Sequence, residues 1–358
     1  ETERVPVGTG TTTVRVGTGT TQLEYEVYND DTVGITNCDN EAAGNLEIPA
    51  EIDGKPGTSI RDHAFYNCSG LTEVTIPDSV TSIGGGAFGD CSSLTTIMIP
   101  NGVTSIGGES FSDCTSLTEI TIPDSVTSIE MYAFSNCTSL IKIMMSDSVT
   151  TIGDCAFVDC SSLTEITIPD SVTSIGGLAF SGTPWLTAKQ SENPLVIINH
   201  ILIDGTTCTG SVVIPDNVTN IGVSAFSGCS SLTEITISDS VTSIGALAFS
   251  DCTSLTEIMI SNNVTNIGDC AFSNCSILTK ITIPDSVTRI GREAFFGCTS
   301  LITITIPDSV TVIEDELFFT VQRRLSANRH RPGAYKAEVP YLLSGKLFCG
   351  LCGAPMTG

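Results

Sequence analysis

Nine cysteines recur at one fixed position along this sequence, and their thiols are its most reactive repeated groups. Successive members are separated by 23 residues or by a multiple of 23: Cys68, Cys91, Cys114, Cys137, Cys160, Cys229, Cys252, Cys275 and Cys298. A residue that recurs once per structural repeat faces the same way each time, and a free cysteine behaves as a small apolar side chain. We therefore predict buried and mostly unpaired thiols. Disulfides between neighbouring repeats would require Cα atoms within about 7 Å.

Glutamate and threonine form two further columns, which could bind an extended partner. We name nine of these residues the Glu/Thr strip: Glu73, Thr75, Glu119, Thr121, Glu165, Thr167, Glu234, Thr236 and Glu257. Lysine interrupts the glutamate column at 142 and 280, and methionine interrupts the threonine column at 98, 144 and 259. Two interpretations are open: a solubilising face, or a flat binding surface for a protein or a glycan.

A column of aspartates is the third candidate for chemistry. Its members follow the strand segments: Asp78, Asp124, Asp147, Asp170, Asp216, Asp239, Asp285 and Asp308. An aspartate at a turn commonly accepts local backbone hydrogen bonds, and that is the interpretation we favour. Calcium is the alternative, because hard cations need several oxygen ligands, but the multi-carboxylate loop spacing of calcium motifs is absent from the sequence.

Motifs of catalysis are missing from the sequence. It contains no G-x-S-x-G or H-E-x-x-H segment and no phosphate-binding glycine loop, and its three histidines are isolated. We therefore predict a protein that is not an enzyme and needs no cofactor.

The spacing of the apolar residues explains why these columns exist. Phenylalanine recurs in eleven places with the same interval, once doubled to 46: Phe65, Phe88, Phe111, Phe134, Phe157, Phe180, Phe226, Phe249, Phe272, Phe295 and Phe318. An isoleucine column runs from Ile83 to Ile313 without a break, and Ile198 is one of its members. A fixed short period indicates a repeat array, in which each unit buries its apolar face by stacking on copies of itself.

One repeat contains two apolar periods. Phe111, Cys114 and Leu117 are three residues apart, which suits a short α-helical or 3₁₀ segment. The spacing then changes to two at Ile120 and Ile122, which predicts a strand with its intervening side chain facing outward. Proline and aspartate end this strand at a turn.

The repeat resembles a known family at this point. L-x-x-I-x-I inside a 23-residue unit resembles a leucine-rich repeat, and CTSLTEITIPDSVTSIGxxAFxxC is similar to the BspA-like family of bacterial surface repeats. The segment LEYEVYNDDTVGITNCDNEAAGNLEIPAEIDGKPGTSI resembles the entry segment of that family. The resemblance implies an α/β repeat solenoid of leucine-rich-repeat type, with 23-residue coils, one parallel β-sheet and short helical or 3₁₀ turns. It also implies an extracellular or cell-surface recognition and adhesion protein that binds a protein or glycan partner.

We divide the chain accordingly. Residues 1–22 are a Thr/Gly-rich N-terminal segment, 23–60 a capping segment, and 61–313 the repeat solenoid. Within the solenoid, 183–217 occupies the doubled interval, and its apolar residues on both sides of Asn199-His200 predict an irregular β-hairpin insert.

Charge excludes some partners. The formal net charge is −25, which makes nucleic acid an unlikely partner of the array and favours solubility. Apolar runs of the length needed for a membrane helix are absent, and no export signal is visible in the sequence. We expect a monomer that does not insert into a membrane.

Residues 314–358 differ in composition from the array. The segment from 321 is basic, and YLLSGKLFCGLCGAPMTG resembles the first half of the zinc β-ribbon of large serine recombinases. By that resemblance Cys349 and Cys352 match the first pair of zinc ligands, and zinc would bind only if a second cysteine pair were supplied. The alternative function is therefore a chimeric or truncated chain with a nucleic-acid-binding tail derived from a recombinase.

Overall fold

The computed structural model describes residues 3–301 and 304–313, which form two compact units. Unit 1 comprises Glu1–Lys189 and unit 2 comprises Gln190–Gly358. Each unit is a β-solenoid of stacked coils, so the predicted solenoid, its coil length and its parallel pairing are confirmed. The predicted tail, 314–358 with Cys349 and Cys352, lies outside the described residues.

The strands of unit 1 number from the N-terminus. They are β1 (Pro6–Val16), β2 (Gly19–Tyr28), β3 (Val33–Cys38), β4 (Ala43–Glu47), β5 (Glu51–Ile52), β6 (Lys55–Ile60), β7 (Gly70–Thr75), β8 (Ser82–Ile83), β9 (Thr96–Met98), β10 (Ser105–Ile106), β11 (Glu119–Ile122), β12 (Ser128–Ile129), β13 (Lys142–Met145), β14 (Thr151–Ile152), β15 (Glu165–Thr167) and β16 (Ser174–Ile175).

The described strands of unit 2 continue the numbering. They are β17 (Val196–Ile198), β18 (Ile201–Asp204), β19 (Gly210–Val213), β20 (Asn220–Ile221), β21 (Leu232–Thr236), β22 (Ser243–Ile244), β23 (Glu257–Met259), β24 (Asn266–Ile267), β25 (Lys280–Thr282), β26 (Arg289–Ile290) and β27 (Val312–Ile313). The helix α1 (Pro184–Glu192) spans the boundary between the units.

Each coil contributes two strands, which is one more than predicted. In the coil that contains β11, Ile120 and Ile122 face the core and Thr121 faces outward. A turn then leads to the two-residue strand β12, whose Ile129 is also buried. The longer strands pair in parallel with their equivalents 23 residues later, and so do the short ones. The prediction of a single sheet was wrong, because two separate sets of strands enclose the core of each unit.

The segment around each phenylalanine is a series of hydrogen-bonded turns and not the predicted helical segment. The amide of Phe88 donates to the carbonyl of Ser110 in the next coil (2.8 Å), and the amide of Cys91 donates back to Phe88 (3.3 Å). Amides thus alternate between neighbouring coils and their own turn. A three-residue apolar spacing satisfies this arrangement as well as it satisfies a helix.

These turns require two left-handed residues per coil. One position holds only residues that tolerate positive φ: Asn67, Asp90, Asp113, Asn136, Asp159, Gly182, Gly228, Asp251, Asn274 and Gly297. The other position, four residues earlier, accepts bulky side chains such as Tyr132 (φ 57°) and Leu247 (φ 56°). Contacts between coils therefore impose this conformation on residues that do not favour it.

Serine and threonine hydroxyls add a second set of bonds between coils. Thr127 donates both its amide (2.9 Å) and its Oγ1 (3.3 Å) to the carbonyl of Thr104. Ser79 and Ser171 each donate Oγ to a carbonyl of the preceding coil at 2.7 Å. The serine column thus binds backbone, as its position in the repeat predicted.

The N-terminal strands cap unit 1. β1 and β2 form an antiparallel hairpin, β3 pairs with β2, and β3 then pairs in parallel with β6. On the other side, β1 meets β4 through Val16 and Leu46. The two sets of coil strands thereby join one 13-stranded sheet. The predicted boundary at residue 22 falls inside β2, so the segments 1–22 and 23–60 share one hairpin.

The segment 183–217 contains the predicted hairpin and an unpredicted helix. β17 and β18 are antiparallel, and both turn residues, Asn199 and His200, have positive φ. Leu202, and not Ile198, pairs with Ile221, so the assignment of Ile198 to the isoleucine column was wrong. Thr183 Oγ1 caps α1 by accepting from the amide of Leu186 (3.1 Å), and Pro184 is its first residue.

The core of each unit is built around stacked phenylalanines. In unit 1, six rings from Phe65 to Phe180 stack with centroid separations of 5.0–5.6 Å. In unit 2, four rings from Phe226 to Phe295 stack at 5.1–5.4 Å. Alanine, cysteine, leucine, isoleucine and valine columns surround them and are also buried.

Truncation of a stacked ring should destabilise unit 2 strongly. Phe272→Ala removes a fully buried ring between Phe249 and Phe295, so we expect a loss of about 3–5 kcal/mol in the free energy of unfolding. Phe296→Ala is the matched control, because that ring is 45% exposed and should change stability by about 0.5 kcal/mol or less. Urea unfolding measures both, and equal effects would contradict a buried column.

Relief of a left-handed residue should stabilise the chain. Leu247 has φ 56° and is 40% exposed, so Leu247→Gly removes backbone strain at little loss of burial. We expect a gain of about 1 kcal/mol, since a left-handed L-residue costs that much or more. Ala246→Gly, one residue away and without positive φ, should instead destabilise by about 0.5–1 kcal/mol. A destabilising Leu247→Gly in thermal unfolding would contradict the strain.

Candidate functional site

The Glu/Thr strip lies on the outer face of the longer strands. All of its residues are exposed except Thr236, which is half-buried. Parallel pairing places Glu119 opposite Lys142, which in turn lies opposite Glu165. In unit 2, Glu234 lies opposite Glu257, which lies opposite Lys280. The outward alternation of the strands therefore brings the predicted side chains together in rows.

The two lysines relieve repulsion between carboxylates in these rows. Lys142 Nζ lies 4.0 Å from Glu165 Oε2, and Lys280 Nζ lies 3.4 Å from Glu257 Oε1. Asn45 Nδ2 donates to Glu73 Oε2 at 2.8 Å. All these groups are solvent-exposed, so each ion pair contributes about 1 kcal/mol or less to stability. The charges are therefore available to a partner.

Exposed methionines complete this surface, and the sequence analysis gave them too little weight. Met98, Met144 and Met259 occupy the threonine position, with 71%, 41% and 55% of their surface exposed. Met144 lies between Thr121 and Thr167 on adjacent strands. Each unit thus presents a charged row beside a row in which threonine alternates with a flexible apolar side chain. The even spacing of these methionines was the signal that could have identified them.

The strip consists of three groups and is not one hydrogen-bonded surface. Glu73 and Thr75 lie on β7, in the capped sheet that ends at β9. Glu119 to Thr167 lie on the three-stranded sheet β11-β13-β15. Glu234, Thr236 and Glu257 lie in unit 2, where Ser211 and Val213 precede them in the same rows. The predicted uniform strip therefore consists of short segments.

The aspartate column is exposed and solvated. Asp239 Oδ1 accepts a hydrogen bond from Ser261 Oγ of the next coil (2.9 Å). Local backbone hydrogen bonds, which we expected, are absent at other members of the column that the structure describes: Asp78, Asp124, Asp147, Asp170, Asp216 and Asp285. Within residues 3–301 and 304–313, no group of three or more His, Cys, Asp or Glu is arranged to hold a metal ion.

The repeated thiols serve the core. Cys91, Cys114, Cys137 and Cys160 are fully buried, and each donates its thiol to a phenylalanine carbonyl of the preceding coil at 3.0–3.2 Å. Burial raises the pKa of Cys91 to about 12 and holds the pKa of Cys114 well above its ordinary value. Since the thiolate is the reactive form, these groups are inert, and the prediction of buried thiols is confirmed.

Comparison with known proteins identifies the repeat. The family described as the BspA type leucine-rich repeat region matches residues 58–187 and 198–323, with six copies, which is more than half of the chain. The chain belongs to this family.

Solved structures of similar proteins come from several bacteria. A leucine-rich cell surface protein from Faecalibacterium prausnitzii A2-165 is 31% identical, with 86% of this chain and 92% of that chain covered and a TM-score of 0.46. A leucine-rich repeat protein from Bacteroides ovatus is 26% identical (81% and 88% covered, TM-score 0.37). The pneumococcal vaccine antigen PcpA is 18% identical (87% and 96% covered, TM-score 0.47). No curated protein matches.

No helix in the part of the chain that the structure describes has the length and apolar character needed to span a membrane.

The buried thiols should make stability fall at high pH. Unfolded thiols ionise near pH 9, whereas folded Cys91 and Cys252 stay protonated until about 12, so the unfolded state loses protons first. Their stabilisation is complete below pH 9 and is lost as the pH rises toward 12, at about 1.4 kcal/mol per pH unit for each thiol. Urea unfolding at pH 8 to 10.5 measures this slope. Cys252→Ala should make it shallower, and an unchanged slope would contradict the assignment.

Proposed function

We propose that this chain is a non-enzymatic recognition protein of the bacterial cell surface, which binds a protein partner through the outer face of its longer strands. The observation that carries the proposal is the surface around the Glu/Thr strip. There, charged and apolar side chains repeat in fixed rows in both units.

The composition of these rows favours a protein partner over a glycan. Met98, Met144 and Met259 are exposed in the middle of the surface, and methionine is enriched in protein interfaces. Its flexible thioether adapts to irregular apolar surfaces. The flanking carboxylates outnumber Lys142 and Lys280, so the partner should carry basic residues.

Repetition allows weak contacts to accumulate. Within unit 1 the rows advance by one strand per coil, from β11 to β13 to β15. An extended partner can therefore engage several coils in succession, and each added contact is intramolecular once the first has formed. A surface of this kind needs no pocket.

The family supports a location outside the cell. The relative from Faecalibacterium prausnitzii is a leucine-rich cell surface protein and is 31% identical over 92% of its length. A net charge of −25 suits an exported, soluble surface.

Charge reversal on the strip tests the proposal. The full chain is screened against a peptide array and a glycan array, and the affinity for the strongest ligand is then measured at two salt concentrations. The triple variant Glu119→Lys, Glu165→Lys and Glu234→Lys should bind about tenfold or more weakly, because exposed charge pairs each contribute up to about 1 kcal/mol. Binding of the unaltered chain should also weaken in high salt.

A matched control separates the strip from net charge. Asp78→Lys, Asp124→Lys and Asp170→Lys make the same charge change at exposed residues outside the strip and should leave the affinity within about twofold. Equal losses in both triple variants would contradict a localised site, and a best ligand from the glycan array would replace the protein partner. Removal of residues 321–358 should have no effect. DNA binding that disappears with this segment would instead support the recombinase-derived tail.

A further inference from the structure

The first thiol of the cysteine column has different surroundings from the others. In unit 1, Cys91, Cys114, Cys137 and Cys160 donate to the carbonyl of a phenylalanine in the preceding coil. Cys68 lies in the first phenylalanine-containing coil, so no such carbonyl precedes it. The cap occupies that place instead.

A cysteine of the cap faces Cys68. Cys38 is the last residue of β3, and its Sγ lies 3.6 Å from the carbonyl oxygen of Asp39. The Sγ of Cys68 lies 3.9 Å from the same oxygen. Both side chains are buried, with 2% and 0% of their surface exposed. Two thiols from segments 30 residues apart therefore converge on one atom.

The two thiols also influence each other directly. The hydrogen bond between them is the largest cause of a lowered pKa at Cys38 and of a raised pKa at Cys68. Thr21 Oγ1, 3.9 Å from Cys38 Sγ, supports the same lowering. The thiol of Cys38 is therefore the better nucleophile of the pair.

An exposed turn covers the pair. Asp39, Asn40 and Glu41 are exposed, and the turn is closed by the amide of Ala42, which donates to the carbonyl of Asp39 (2.9 Å). Local opening of this short turn would admit a small oxidant without unfolding the coils.

We propose that Cys38 and Cys68 form a disulfide that fastens the N-terminal cap to the first coil of unit 1. The oxidant is a small disulfide such as oxidised glutathione. The Cys38 thiolate attacks one glutathione sulfur and forms a mixed disulfide, which releases one glutathione thiolate. The Cys68 thiolate then attacks the Cys38 sulfur and releases the second glutathione. The two cysteine thiol protons pass to the two glutathione thiolates, so two cysteines are oxidised and one glutathione disulfide is reduced.

The link would hold the edge that the repeat leaves open. β3 pairs with β6, and through it the cap covers the end of the coil stack. A bond between residues 38 and 68 closes a loop across this junction, which restricts the unfolded chain and opposes opening of the cap.

Oxidation of the native full chain tests the link. The chain is incubated with oxidised glutathione, remaining thiols are alkylated, and peptides are analysed by mass spectrometry without reduction. We expect a cross-linked peptide pair that contains Cys38 and Cys68, with the mass of two hydrogens lost. The melting temperature should rise by about 5 °C or more, and a thiol reductant should reverse the rise.

Single substitutions assign the effect. Cys38→Ser and Cys68→Ser should each abolish both the cross-link and the rise in melting temperature, whereas Cys91→Ser should preserve both. Cys91 is the matched control because it is the next thiol of the column. Since a variant can fail to fold, differential alkylation of the unaltered chain serves as a second measurement, and Cys38 and Cys68 should become oxidised to the same extent. Cross-links spread over the column, or a pair that stays reduced while glutathione oxidises Cys155 or Cys270, would overturn the proposal.

Discussion

Hydrogen bonding between successive coils is the constraint on which the rest of this structure depends. In the turns, alternate amides donate to the next coil, as Phe88 does to Ser110. In the connection before each short strand, a threonine such as Thr127 gives both its amide and its hydroxyl to the preceding coil. A residue in one coil must therefore lie directly above its equivalent in the next. Buried columns of phenylalanine, cysteine and isoleucine follow from this alignment, because every coil must bury the same positions.

The sequence predicted the parts of the fold whose period it contains. The 23-residue interval indicated stacked coils, the alternation at Ile120 and Ile122 indicated a strand, and Asn199-His200 indicated a hairpin turn. It could not indicate β12 and its equivalents, because alternation cannot be recognised in two residues. The three-residue spacing before the strand also fits both a helix and stacked turns. Ile198 shows a related limit, since a residue can match the interval while the chain takes a different path.

The candidate site could be predicted in direction but not in detail. Alternation along the strands is enough to place Glu119 and Thr121 on the outer face. Which side chains meet across strands depends on pairing, so the contact between Lys142 and Glu165 required the structure. Exposure of Met144 contradicts its apolar character and was visible only as a regular departure from threonine. The division of the strip at β9 and β11 has no sequence signal, because the interval continues through it.

Uniform pairing between coils also affects how such a gene can change. Glu119, Lys142 and Glu165 occupy equivalent places, and each strand pairs only with the strands of adjacent coils. Loss or duplication of 23 codons within a unit would therefore leave every remaining pair aligned, whereas a change of any other length would shift them all. The cap has no such freedom, because β1, β2 and β3 pair with partners that occur once. Unequal crossing-over can thus lengthen or shorten the array one coil at a time, while the N-terminal end stays constant.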